Sequence, residues 1–231
     1  MPEKIFTIPI NEAFDHPEGC PLCRLKADLE EQILSSALGA SMMEPDVRIR
    51  MNEEGFCPSH LDALYRRKNK LALGLILESR LDTLIKQCES IPRKEKKGLF
   101  QTKSGGKVSA GLLSASESCY ACRKIRHTEL RYFSNIAWLW ETDAAFRKKL
   151  QEHESLCLRH AGQLLSCAEE ELKPEAYNSL AEAVTVRLRE ALQNLRQDVT
   201  GFTVSFDHRN AGNPVPEAER TALERSLKLL R

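Results

Sequence analysis

Eight residues of the chain fall into one pattern of metal-ligand spacing, written twice. The first copy is Cys20-Pro-Leu-Cys23 followed by Cys57-Pro-Ser-His60. The second is Cys119-Tyr-Ala-Cys122 followed by Cys157-Leu-Arg-His160. The gap from the second to the third cysteine is 34 positions in the first copy and 35 in the second. A single C-x-x-C is a weak signal. A C-x-x-C with a C-x-x-H at a matched distance, repeated, accounts for six of the eight cysteines and two of the six histidines. Zinc takes four ligands in a tetrahedron and prefers thiolate sulfur and imidazole nitrogen. The pattern therefore predicts two zinc ions per chain. One is expected on Cys20, Cys23, Cys57 and His60, the other on Cys119, Cys122, Cys157 and His160, so that each ion closes one copy.

Core packing and disulfides each fit less of the pattern. Buried cysteine behaves as a small hydrophobe, but core packing does not require matched spacing. Disulfides leave the two histidines unexplained. The chain begins Met-Pro-Glu-Lys-Ile-Phe, without the basic and apolar regions of a secretory signal. The expectation is thus a reducing, cytoplasmic setting, where such cysteines bind metal or do chemistry. An iron–sulfur cluster is the alternative cofactor, although clusters favour four cysteines and each copy offers three. Three thiolates and a neutral histidine leave a divalent site with one negative charge. Arg24, Arg123 and Arg159 each stand beside a ligand and are placed to offset it.

The elements that must carry these ligands read as helices. Leu25, Leu29, Ile33 and Leu34 follow Cys23 at helical spacing, and Arg123 to Trp140 is their counterpart. Pro58 suits the first position of a helix, which puts the Cys57 pair at a helix start. There, free N–H groups and the helix dipole favour thiolate over thiol. Asp46 to Glu54 precedes Cys57 as Asp143 to Glu154 precedes Cys157. A longer helix follows each copy, with Leu71, Leu75, Leu77, Leu81, Leu84 and Ile85 in the first. The second, Tyr177 to Gln197, has Leu180, Val184, Leu188, Ala191, Leu192 and Leu195. Tyr132, Phe133, Trp138 and Trp140 read as core aromatics.

The expected organisation is all-α: two tandem helical repeats, 1–90 and 119–200, each with its zinc site. Between them, 91–118 is rich in Lys, Gly and Ser, carries six basic and two acidic residues, and reads as a flexible linker. In 201–231, Phe202, Val204 and Phe206 alternate with Thr203 and Ser205, a strand-like pattern that predicts an extended strap. A closing helix from Glu217 to Arg231 follows, with Leu223, Leu227 and Leu230. Cys88 and Cys167 have no C-x-x partner and read as packed or partly exposed thiols. His16 lies four residues before Cys20 and could compete for metal, while His127 and His153, on helices of the second copy, have no counterparts in the first.

Composition narrows the function. Net charge is +1 and hydrophobic residues make up 42%, which gives no case for nucleic acid. No apolar run is long enough to span a bilayer. Phosphate-binding loops, H-E-x-x-H and G-x-S-x-G are missing. Four protein ligands leave no open position, the mark of a structural zinc site. The expected function is therefore a non-catalytic adaptor or regulator that acts through a protein partner. A thiol-based redox or metal-responsive switch is the first alternative, and a metal-dependent enzyme or iron–sulfur protein the second. In an enzyme, Glu53, Glu54 or Glu154 would be the candidate bases.

The strings Cys20-Pro-Leu-Cys-Arg-Leu25, Gly55-Phe-Cys-Pro-Ser-His-Leu61 and Leu73-Gly-Leu-Ile-Leu77 resemble a bacterial family of uncharacterised proteins with C-P-x-C followed by G-F-C-x-x-H. The second copy departs from that pattern at Tyr120 and at Ser155-Leu156, but keeps all four ligand positions. The resemblance implies a bacterial, cytosolic protein and brings no reaction with it.

Overall fold

The computed structural model describes residues 4–89, 113, 115–210 and 213–230. Among these the regular structure is helical and no strand occurs. The α-helices are α1 (Thr7–Asp15), α2 (Pro21–Ala37), α3 (Pro45–Glu54), α4 (Pro58–Tyr65), α5 (Lys70–Glu89), α6 (Tyr120–Thr142), α7 (Ala144–Glu152), α8 (Leu158–Glu171), α9 (Pro174–Val204), α10 (Glu217–Arg220) and α11 (Ala222–Leu229). None of the described helices is long and apolar enough to cross a membrane. Most of the expected linker, 91–118, lies outside the described residues.

Contacts divide the chain into two compact units that cut across the order of the sequence. One comprises Met1–Ala27 with Thr128–Arg231; the other is Asp28–His127. The segments 1–90, 91–118, 119–200 and 201–231 expected from the repeats are divisions along the chain, and the units interleave them. Two helices carry the boundary. Helix α2 starts in the first unit and ends in the second, and α6 starts in the second and ends in the first.

The unit 28–127 is built around Leu34, Leu38, Met51, Leu64, Leu73 and Ile76, all buried. Helix α5 packs on α3 and α4 through Ala72, Leu73 and Ile76, while Leu77, Leu81 and Ile85 stay exposed. Gly55 ends α3 with φ 64°, a conformation that side chains other than glycine rarely adopt. The Arg80 guanidinium closes this end, donating to the carbonyls of Asn52 and Glu53 at 2.8 and 2.9 Å.

In the other unit, α1 packs on α7 and α9 packs on α7 and α8. Phe14 meets Phe146 edge to face with ring centroids 5.1 Å apart. Tyr132, Phe133 and Trp140 of α6 are buried with Ile136 and belong to the core, while Trp138 is only partly buried.

The tail corrects one expectation. Phe202 to Val204 belong to α9 rather than to an extended strap. Phe202 and Phe206 stand four positions apart, which is about one helical turn as well as two full periods of a strand, and their rings meet at 5.1 Å. The closing helix α11 buries Ala222 and leaves Leu223, Leu227 and Leu230 exposed. A small residue at the contact allows close approach to α9, and Arg225 Nη2 pairs with Asp198 of α9 at 2.5 Å.

Candidate metal centres

The eight candidate ligands gather into two quartets, and each quartet draws on both copies of the motif. Cys20 and Cys23 meet Cys157 and His160; Cys57 and His60 meet Cys119 and Cys122. This corrects the expectation that each copy closes on itself. All four ligand atoms of each quartet lie within 4.8 Å of one another. Each quartet lies inside one of the two units.

Local structure explains the exchange. Helix α2 is 17 residues long, about 25 Å at 1.5 Å per residue, and carries the chain away from Cys20 and Cys23. At the end of α3, residues 115–123 are tied down instead. The Tyr120 N–H donates to the Gly55 carbonyl at 2.9 Å, and the Ser118 hydroxyl to the Glu54 carbonyl at 2.6 Å. Arg80 donates to the Ala115 carbonyl at 3.0 Å, and Arg123 pairs with the Glu54 carboxylate at 2.6 Å. These bonds deliver Cys119 and Cys122 to Cys57. The other quartet is assembled in the same manner. The Gly19 N–H donates to Glu154 at 3.2 Å, the His153 ring lies 3.0 Å from the His16 carbonyl, and Lys149 pairs with Asp15 at 2.6 Å. Glu54 and Glu154, candidate bases in the sequence, thus hold the backbone and side chains that flank the ligands.

Every ligand pair sits at a helix start. Cys20 and Cys119 immediately precede α2 and α6, while Cys57 and Cys157 are the N-caps of α4 and α8. The positive helix end stabilises thiolate at each. Among the other cysteines, Cys88 is exposed and Cys167 half-buried.

The distances fit a single tetrahedral ion. Zinc–sulfur bonds of about 2.3 Å and zinc–nitrogen bonds of about 2.0–2.1 Å give tetrahedral edges of about 3.8 Å between sulfurs and about 3.6 Å from sulfur to nitrogen. Cys23 and Cys157 sulfurs are 3.6 Å apart, and those of Cys57 and Cys122 are 3.8 Å apart. The His160 Nδ1 stands 3.5, 3.3 and 3.2 Å from the sulfurs of Cys20, Cys23 and Cys157. The His60 Nδ1 stands 3.2, 3.3 and 3.4 Å from those of Cys57, Cys119 and Cys122. A ring nitrogen carries at most one hydrogen. It cannot donate to three sulfurs at once, whereas one cation at the centre satisfies all four atoms.

The titration of the ligands follows the same crowding. The Cys119 sulfur beside His60 outweighs burial and lifts the imidazole to about 9. Burial opposes charge on His160, but Cys157, Cys23 and Glu129 lift it to about 11. Burial works against the Cys119 thiolate too, yet His60 and neighbouring N–H groups bring it down to about 6. Burial and the Cys119 sulfur push Cys122 up to about 12. In the other quartet, hydrogen bonds from Cys20 and Cys23 hold Cys157 far below an ordinary thiol, and Cys20 is raised in return.

Two residues that the ligand motif does not include stand behind the histidines. Glu30 Oε1 lies 3.3 Å from His60 Nε2, and Glu129 Oε1 lies 3.4 Å from His160 Nε2. The sequence does carry a signal for them: each glutamate stands seven positions after the second cysteine of a C-x-x-C.

The chain belongs to the family of unknown function DUF6062, whose model matches residues 1–231. No curated protein and no solved structure matches it.

Proposed function

We propose that this member of the family is a zinc-stabilised helical protein, with two structural ions per chain, that acts as an adaptor or regulator through protein contacts. The observation that carries the zinc reading is the convergence of three sulfurs on each histidine Nδ1 at 3.2–3.5 Å. A quartet spanning no more than 4.8 Å suits one ion; a cluster of several irons and sulfides spreads its protein ligands further.

The structural rather than catalytic role rests on the ligand count. A catalytic zinc keeps one position for water or substrate, and four protein ligands fill a tetrahedron. Support for a role in protein contacts comes from α5, where Leu77, Leu81 and Ile85 recur on one exposed face; exposed apolar rows mark interaction surfaces. Anaerobic purification with metal analysis tests the zinc reading. Two zinc ions per chain in a colourless protein are expected. Iron with labile sulfide, or no metal, would overturn it.

A second reading, a thiol switch, draws on one observation. Cys122 is the exposed member of its quartet, and its sulfur lies 3.8 Å from that of Cys57. A hydroperoxide, with two protons from solvent, would oxidise these two thiolates to a disulfide and be reduced to alcohol and water, and the loss of two ligands would release the ion. Zinc release in step with a Cys57–Cys122 disulfide is the expected sign of it. Zinc retention under peroxide would exclude it.

A further inference from the structure

From the two histidine–carboxylate pairs we infer that Glu30 and Glu129 are positioning residues for the metal centres, and that each serves the centre at which its own helix does not begin. The inference rests on the zinc reading above and goes beyond it, because these glutamates touch no ion. Helix α2 starts at Cys20 and Cys23, yet its Glu30 faces His60 of the other quartet. Helix α6 starts at Cys119 and Cys122, yet its Glu129 faces His160. Each of these helices therefore gives two thiolates to one centre and a carboxylate to the histidine of the other.

Three observations separate this from chance surface charge. The spacing is the same in both copies, as is the ring atom contacted. Glu129 is only 5% exposed, and a buried carboxylate is costly unless paired. Glu30 stands within ion-pairing distance of the corresponding His60 nitrogen from a half-exposed position, whereas Glu129 makes a hydrogen bond to His160, so burial is not what brings the groups together.

The chemistry is definite. A carboxylate that accepts the Nε2–H fixes the proton on Nε2, leaves the Nδ1 lone pair aimed at the three sulfurs, and raises its strength as a donor. Loss of such a partner costs on the order of 10- to 100-fold in metal affinity.

The test uses the full-length zinc-loaded protein and its Glu129→Gln and Glu30→Gln variants, which keep side-chain shape. Zinc affinity is measured by chelator competition, and alkylation with peptide mapping shows which cysteines open. Glu129→Gln should weaken one ion by about 10- to 100-fold and expose Cys20, Cys23 and Cys157, while Cys119 and Cys122 on its own helix stay protected. Glu30→Gln should do the reverse, opening Cys57, Cys119 and Cys122. Circular dichroism should match the parent in both. Two zincs held with unchanged affinity in both variants would overturn the inference and leave the zinc reading intact. So would opening of the cysteines at the start of the mutated helix. A parent protein without zinc would overturn the zinc reading, and this inference with it.

Discussion

The sulfurs of Cys23 and Cys157 lie 3.6 Å apart although 134 residues separate them along the chain. Cys23 opens α2 in the first copy of the motif, and Cys157 caps α8 in the second. Their meeting makes each candidate centre a link between distant segments, so that an ion there would close a long loop rather than staple a local turn.

Removing one sulfur should reveal that link. Cys157→Ser is expected to release one of two zinc ions and to open Cys20 and Cys23 to alkylation, leaving Cys57, Cys119 and Cys122 protected. Peptide mapping checks it; opening of Cys119 and Cys122 instead would mean that each copy closes on itself.

Metal removal should also cost stability. Structural zinc contributes about 10–16 kcal/mol in small zinc-finger peptides, and a unit with a core of its own, such as that around Leu34, Met51 and Leu64, depends on the ion less. Chelator-treated protein is expected to melt at a clearly lower temperature with reduced helicity. An unchanged melting curve would remove the structural role.

Helical class and the four two-residue groups of candidate ligands, C-x-x-C or C-x-x-H, were legible in the sequence, because ligand spacing and helical periodicity are local signals. The pairing of the groups was not. Gaps of 34 and 35 residues suit either pairing equally, and the choice is made by long-range bonds such as Tyr120 N–H to the Gly55 carbonyl and Gly19 N–H to Glu154. The tail misled for a different reason. Phe202 and Phe206 satisfy a strand period and a helical turn alike, and continuity with α9 decides for helix.

Zinc affinity should rise with pH. At pH 7 the metal-free quartet around His60 holds a proton on that imidazole, whose pKa is about 9, and another on Cys122, at about 12. The ion must displace both, so protons compete with metal. Apparent Kd should fall by about tenfold per pH unit for each proton released as pH rises from about 6 towards about 9. Titration with a zinc indicator at three pH values reads this, and a flat profile would contradict it.

Gly55→Ala should destabilise the unit 28–127. The backbone there has φ 64°, and an added Cβ would sit 3.1 Å from Arg80 Nε, the side chain that closes α3 and reaches Ala115. A loss of about 1–3 kcal/mol is expected by denaturant unfolding. Weaker zinc binding at Cys57, His60, Cys119 and Cys122 should accompany it, with the other ion unaffected.

Anomalous diffraction at the zinc edge from crystals of the native protein tests the central claim most directly. Two peaks per chain are expected. Each should lie about 2.3 Å from three sulfurs and about 2.0–2.1 Å from one Nδ1, one peak among Cys20, Cys23, Cys157 and His160, the other among Cys57, His60, Cys119 and Cys122. Missing peaks, a water in place of either histidine, or an ion shared by Cys20, Cys23, Cys57 and His60 would contradict the account.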